Sequence, residues 1–282
     1  MKALMLVSSC LFLFACSEDN FKKYVALQEL RIVALVGNNG SNKSEVGPGA
    51  SLTITPWVSD VTETSGLQFS WQACVDPGLN NGAEPNCDNN SSATSVTTGS
   101  ITTLNSGNTF TGAADSFVVN IPAQILTGRS AQQQYNGVNY LVLYSVTNSS
   151  GKTVKSFKRV VVSGAAKTNK NTNPQITQVN ANGSAISSLN ANQTYSLNAV
   201  LSGSSQENYQ VLNGDGSYTN LVEEIQVTWF YSDGSTKYYR TINQETTDYT
   251  TPTSYPSTRN SFVIAVARDP RGGLSVLKTV IH

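Results

Sequence analysis

Along most of this chain apolar and polar residues alternate one by one, and no long window repeats them at helical spacing. Leu67, Phe69, Trp71 and Ala73 interleave with Gln68, Ser70 and Gln72, which places one row on a core and the other toward water. Further strands are predicted at Leu30 to Val36 and at Leu52-Ile54-Trp57-Val58 before it. After it come Phe117-Val119-Ile121, Tyr140 to Val146 and Val154 to Val162. The last two are joined by Thr147-Asn148-Ser149-Ser150-Gly151-Lys152, a hairpin loop whose glycine can take positive φ.

The same grammar then repeats. Ile176 to Val179, Tyr195-Leu197-Ala199-Leu201, Ile225-Val227-Trp229-Tyr231 and Phe262-Ile264-Val266 read as strands. A turn at Arg268 to Gly273 leads into a last strand, Leu274 to Ile281. Trp71 and Trp229 hold equivalent places in the two halves, and Gly164 to Pro174, small and polar with two lysines, reads as a linker between them. Phe230 points opposite Trp229 and needs cover from a neighbouring domain or a partner. Seven or so short strands per half, with a Trp in a middle strand, fit an antiparallel sandwich. Gly47-Pro48-Gly49-Ala50-Ser51-Leu52-Thr53-Ile54 followed by Leu67-Gln68-Phe69-Ser70-Trp71 resembles the PKD-type or Ig-like repeats of bacterial surface lipoproteins. The expected fold is all-β, with two tandem antiparallel Ig-like β-sandwiches after a cleaved signal: domain 1 at 25–163, linker at 164–174, domain 2 at 175–282. Residues 75–116 form a long insertion in domain 1, expected to be passive and partly ordered with one or two short edge strands, a binding role being the alternative.

The first residues have a different pattern. Lys2 precedes Ala3 to Phe14, about twelve mostly apolar residues, which suits a secretory signal and is shorter than the roughly 20 that a membrane-spanning helix needs. Leu13, Ala15 and Cys16 resemble the bacterial lipoprotein signal, with Phe14 departing from its preference for small residues; Cys10 after Val7-Ser8-Ser9 is a rival with a much shorter apolar run. The resemblance implies cleavage after residue 15, acylation of Cys16, a tether over 16–24 and a membrane partner reached through the lipid; Ser17 rather than Asp implies the outer membrane. Only about eight residues, at most ~27 Å of extended chain, separate Cys16 from the start of domain 1, so domain 1 is expected near the membrane and domain 2 distal to it.

Composition narrows the function. Net charge is zero and charged residues make up 13% of the chain, so there is no basic footprint for nucleic acid. After Cys16 only Cys74 and Cys87 remain. In an oxidising compartment they are expected to form a disulfide closing a loop of about 13 residues, and they lie too close in sequence to bridge two sheets. The sole histidine is His282, which leaves no oriented base for Ser-His-Asp or Cys-His catalysis and too few ligands for zinc. Gly214-Asp215-Gly216-Ser217 lacks the spaced oxygen ligands of a calcium loop and reads as a turn. Glu223 and Glu224, being adjacent, would face opposite sides of a strand and are expected in solvent at its start. No catalytic residue, metal or cofactor is expected.

Tyrosine supplies the binding hint. Eight of the twelve fall in the second half; Tyr195 and Tyr231 keep register with core positions, whereas Tyr209, Tyr218, Tyr249 and Tyr255 sit in polar, loop-like sequence. Tyrosine among Ser, Asn and Gly makes an effective recognition surface because it offers large contact area at small entropic cost. The expected role is recognition or adhesion of a protein or glycan at the cell surface. A scaffold or spacer subunit of an envelope assembly is the alternative.

Overall fold

The computed structural model describes residues 24–62, 66–78, 85–87, 97–101 and 110–282; the predicted signal and Cys16 lie outside them. Its strands are β1 (Arg31–Asn38), β2 (Ser51–Asp60), β3 (Leu67–Val75), β4 (Thr97–Ile101), β5 (Phe110–Ala113), β6 (Phe117–Asn120), β7 (Val138–Thr147) and β8 (Thr153–Val162) in the first module. The second contains β9 (Ile176–Ala181), β10 (Ser184–Ala185), β11 (Thr194–Leu201), β12 (Asn208–Leu212), β13 (Tyr218–Val222), β14 (Gln226–Tyr231), β15 (Ser235–Thr236), β16 (Arg240–Ile242), β17 (Thr246–Thr250), β18 (Phe262–Arg268) and β19 (Leu274–Val280). One short helix, α1 (Ala131–Asn136), precedes β7.

In the first module β1 pairs with β2, and β5 and β6 share the other edge of β2. The facing sheet runs β4-β3-β7-β8. In the second the sheets run β10-β9-β11-β17-β15 and β16-β14-β18-β19. Every pairing between these strands is antiparallel. Taken in sequence order, each module puts its first, second and fifth-type strands in one sheet and its middle strand, with the Trp, beside the last hairpin in the other, which is the immunoglobulin-like arrangement.

Alternation decides which side chains enter each core. Trp71 stacks on Phe117 with centroids 4.6 Å apart, over Leu52, Ile54, Tyr140 and Tyr144. Trp229 is buried over Leu197, Val227 and Ala265, and its indole N–H donates to Thr241 Oγ1 at 3.0 Å, which satisfies the one polar atom the ring carries inside. The Cys74–Cys87 disulfide, with Cα atoms 5.9 Å apart, covers Leu141 on the outer face of the first module.

A third core joins the modules. Phe262, Ile264, Val266 and Leu274 pack against Leu27, Val33 and Ala34, with Trp57 and Phe230 at the margin. Phe230 is therefore covered by the neighbouring module. The segment 164–174 is also held within the fold. Asn173 donates to Gly37 O at 2.8 Å and accepts from Leu274 N–H at 2.9 Å, Asn171 donates to Asp269, and buried Lys167 pairs with buried Glu45 at 2.9 Å.

One expectation about placement is corrected here. Residues just after the predicted tether dock on the second module, where Leu27 N–H donates to Tyr231 O at 2.8 Å and Gln28 Nε2 donates to Ser232 O at 2.9 Å. The chain thus enters the fold at an end shared by both modules, which lie side by side. Domain 2 is not stacked distally on domain 1, because the apolar outer face of β1 is buried only by lying along β18 and β19.

Candidate functional site

The element that leaves the sandwich outline is the β12–β13 hairpin, a two-stranded sheet of its own. Its root is a buried charge cluster. Glu223 N–H donates to Glu207 O at 3.0 Å, Glu207 N–H donates to the Glu223 carboxylate at 3.0 Å, and Arg271 reaches both carboxylates, with Nε 2.7 Å from Glu223. Burial pushes the Glu223 carboxyl upward and the Arg271 bond offsets that only in part. The expectation of a solvated Glu223 is thus corrected. Its side chain is fully buried because it is the counter-ion of Arg271, while Glu224 faces the other way into water.

Its tip is the Gly214-Asp215-Gly216-Ser217 turn, closed by Asn213 N–H to Ser217 O at 2.8 Å, with Gly216 at φ 86°. Asp215 accepts from the Ser217 N–H and hydroxyl, bonds that draw its carboxyl below the usual range. Between root and tip the arm is fastened to the first module. Leu212 N–H donates to Asn136 Oδ1 at 2.8 Å and Asn136 Nδ2 donates to Leu212 O at 2.9 Å, so one side-chain amide acts as a neighbouring strand would. Asn136 is placed by α1, whose Ser130 and Gln133 form a reciprocal capping box at its start.

A groove of about 440 Å³ lies between α1, residues 167–169 and the arm; Tyr135, Asn169, Asn208, Gln210, Asn220 and Val222 line it. Tyr135 meets Tyr218 edge to face at 5.1 Å, and its hydroxyl lies 3.5 Å from Gln210 Oε1. Lys167, the one cation of the lining, is neutralised by Glu45, so the groove presents amides, hydroxyls and aromatic rings without net charge. A second groove, about 470 Å³, crosses the outer face of β3, β7 and β8 beside the disulfide and includes Gln72, Asn86, Ser145, Lys155 and the exposed Phe157.

The four tyrosines singled out by sequence do not converge. Tyr218 is on the arm, 52% exposed, and Tyr209 is on the neighbouring strand with the Arg271 guanidinium 4.6 Å over its ring. Tyr255 stacks on His282 at 4.2 Å at the end of the molecule where the chain enters. Tyr249 is a correction. It is fully buried, donating its hydroxyl to Asp233 O at 2.7 Å, because Thr247 and Tyr249 are the inward row of β17. Two residues missed by sequence reasoning, Tyr135 of the groove and Asn136 that fastens the arm, sit in α1. The signal available was Ser130-Ala131-Gln132-Gln133, a cap followed by Gln three residues on.

Among the described residues no group of three or more His, Cys, Asp or Glu side chains is placed to hold a metal ion, and no helix is long and apolar enough to cross a membrane. No protein-family model matches the sequence, and no curated protein matches it. Among solved structures, the chain is similar to the two tandem V-type regions of VCBP3, a v-region-containing chitin binding protein. That likeness has 12% identity, covers 89% of this chain and 99% of the other, and has a TM-score of 0.30. It is also similar to red sea bream transglutaminase, at 8% identity over 88% of this chain and 31% of that one, TM-score 0.28. A third likeness is to the BSP domain of a biofilm associated protein, at 10% identity over 90% of this chain and 59% of that one, TM-score 0.25. Scores this low carry no functional argument. The immunoglobulin-like assignment rests on strand order.

Proposed function

We propose that this is a non-catalytic recognition protein, held at the outer membrane by an acylated Cys16, which binds its partner in the groove beside the β12–β13 arm. The observation that carries the reading is the groove itself: rigid tyrosines and side-chain amides, uncharged, at the end of the molecule away from the chain's entry. β1 starts at the entry end and its eight residues run about 26 Å to the linker end. An anchor at Cys16 therefore directs the arm outward. Tyrosine rings supply contact area at small entropic cost, and amides supply both donors and acceptors.

The test of binding is Tyr218→Ala, which removes an exposed ring and leaves the strand ladder in place. Capture of partner from envelope extract falls at least tenfold while the circular dichroism spectrum is unchanged; undiminished capture overturns the groove assignment. Anchoring is tested separately by mass spectrometry of the native chain, which is expected to begin at an acylated Cys16. The ring pair and amides, with no net charge, also favour a neutral glycan as ligand, and a glycan array read with wild type and Tyr218→Ala distinguishes that class from protein.

A further inference from the structure

The arm has a free edge whose chemistry fits one occupant. We propose that β13 pairs antiparallel with β13 of a second copy of this chain, centred on Asn220, making a four-stranded sheet from two arms. This concerns the backbone edge of the arm and does not depend on what the groove binds.

Register decides which groups are free. Glu207 with Glu223 and Asn213 with Ser217 each share a backbone hydrogen bond across the hairpin, and these pairs bracket the ladder Tyr209↔Leu221 and Val211↔Thr219. Hydrogen-bonded and non-hydrogen-bonded pairs alternate in an antiparallel ladder, so Thr219 and Leu221 direct their N–H and C=O groups to β12. Tyr218, Asn220 and Val222 direct theirs outward, where among the described residues no strand pairs with them. All five residues of β13 are exposed.

The outward groups form a self-matching set. With Asn220 opposite Asn220 of the second copy, Tyr218 faces Val222 of that copy and Val222 faces its Tyr218. All three are hydrogen-bonded pairs, about six backbone bonds in total. Aromatic opposite β-branched is a favourable cross-strand pair, and the two-fold axis closes the contact without propagating a fibre. Charge permits it as well. Tyr218-Thr219-Asn220-Leu221-Val222 has no charged residue or proline, whereas the edge strands β8 and β16 carry the exposed Lys155 and Arg240, the usual protection against strand addition. A contact of five residues is small, so the association is weak and concentration-dependent.

The experiment is sedimentation velocity of the full chain in mild detergent, comparing wild type with Asn220→Pro. The Asn220 N–H points away from β12, so proline removes an outward donor while sparing the arm's own ladder. Wild type shifts from monomer to dimer through the micromolar range, and the variant needs at least tenfold higher concentration, with unchanged circular dichroism. Register is read with single cysteines and a thiol linker too short to span two strand repeats, wild type reporting the background. Asn220→Cys links two copies, and Tyr218→Cys, which lies about 13 Å from its own copy in this register, does not. A wild type that stays monomeric, an Asn220→Pro chain that associates equally well, or equal linking at both positions overturns the proposal.

Discussion

Gly234 shows how much rests on one position. Its φ is +79°, and a Cβ there would lie 2.3 Å from Thr250 O and 3.1 Å from a carbon of the Tyr249 ring, inside van der Waals contact with both. Both the backbone conformation and the space require glycine. Gly234→Ala is expected to cost about 3 kcal/mol or more, measured as a lower urea midpoint with unchanged slope. The same neighbourhood explains why Tyr249 is not a recognition residue. The sequence Thr246-Thr247-Asp248-Tyr249-Thr250 is polar enough to pass for a loop, yet its period-two placement puts Tyr249 inside. Polarity misled here because threonine is at home on strands, where its methyl packs and its hydroxyl bonds locally.

Among elements, those with strong alternation were legible and those that depend on distant partners were not. β3, β7 and β14 follow directly from Leu67-Phe69-Trp71, Tyr140 to Val146 and Val227-Trp229-Tyr231. The arm was legible only as a turn, since the arm's Tyr209 to Val222 sequence has weak alternation and is fixed by Asn136 and Arg271, far away in the chain. Arg271 is the critical clamp. Arg271→Ala leaves a fully buried Glu223 without its counter-ion, and is expected to destabilise the fold by about 3 kcal/mol. Hydrogen exchange is the measurement that assigns the effect: amides of residues 208–222 lose protection first, and a uniform loss across both modules would contradict the clamp.

At the scale of the molecule the two sandwiches share a core and a buried polar seam, and this is the part least visible in sequence. Phe262 to Ala267 is a continuous apolar run, and the structure divides it. Val263, Ala265 and Ala267 face the second module's core, while Phe262, Ile264 and Val266 face the first module. Such a run signals burial on both sides without naming the second partner. Across the seam Lys158 donates to Gly272 O at 2.9 Å; desolvation lowers its amine from 10.5 to about 8, attraction by Asp269 opposing this and repulsion by Arg268 adding to it, both to a smaller extent. Because the folded value is the lower one, the unfolded chain binds the extra proton between these pH values, and stability rises as pH increases from about 8 toward 10.5. Lys170 and Lys278 lean the same way, and the buried Tyr144 and Tyr249, both raised by desolvation, reverse the trend once unfolded tyrosines ionise near pH 10. Urea midpoints are therefore expected to rise between pH 7.5 and 9.5, and Lys158→Met to remove most of that rise; an equal rise in the variant would place the titration elsewhere.

The sandwiching of β1 has a consequence for how the protein is made. Its inner residue Leu35 belongs to the first core, but Val33 and Ala34 are covered by residues 262–276. This strand must wait for partners more than 200 residues further along the chain, with its greasy flank bare until β18 and β19 are in place. Maturation of the two halves is thereby made concurrent, and a chain interrupted after residue 174 would need a chaperone to stay soluble.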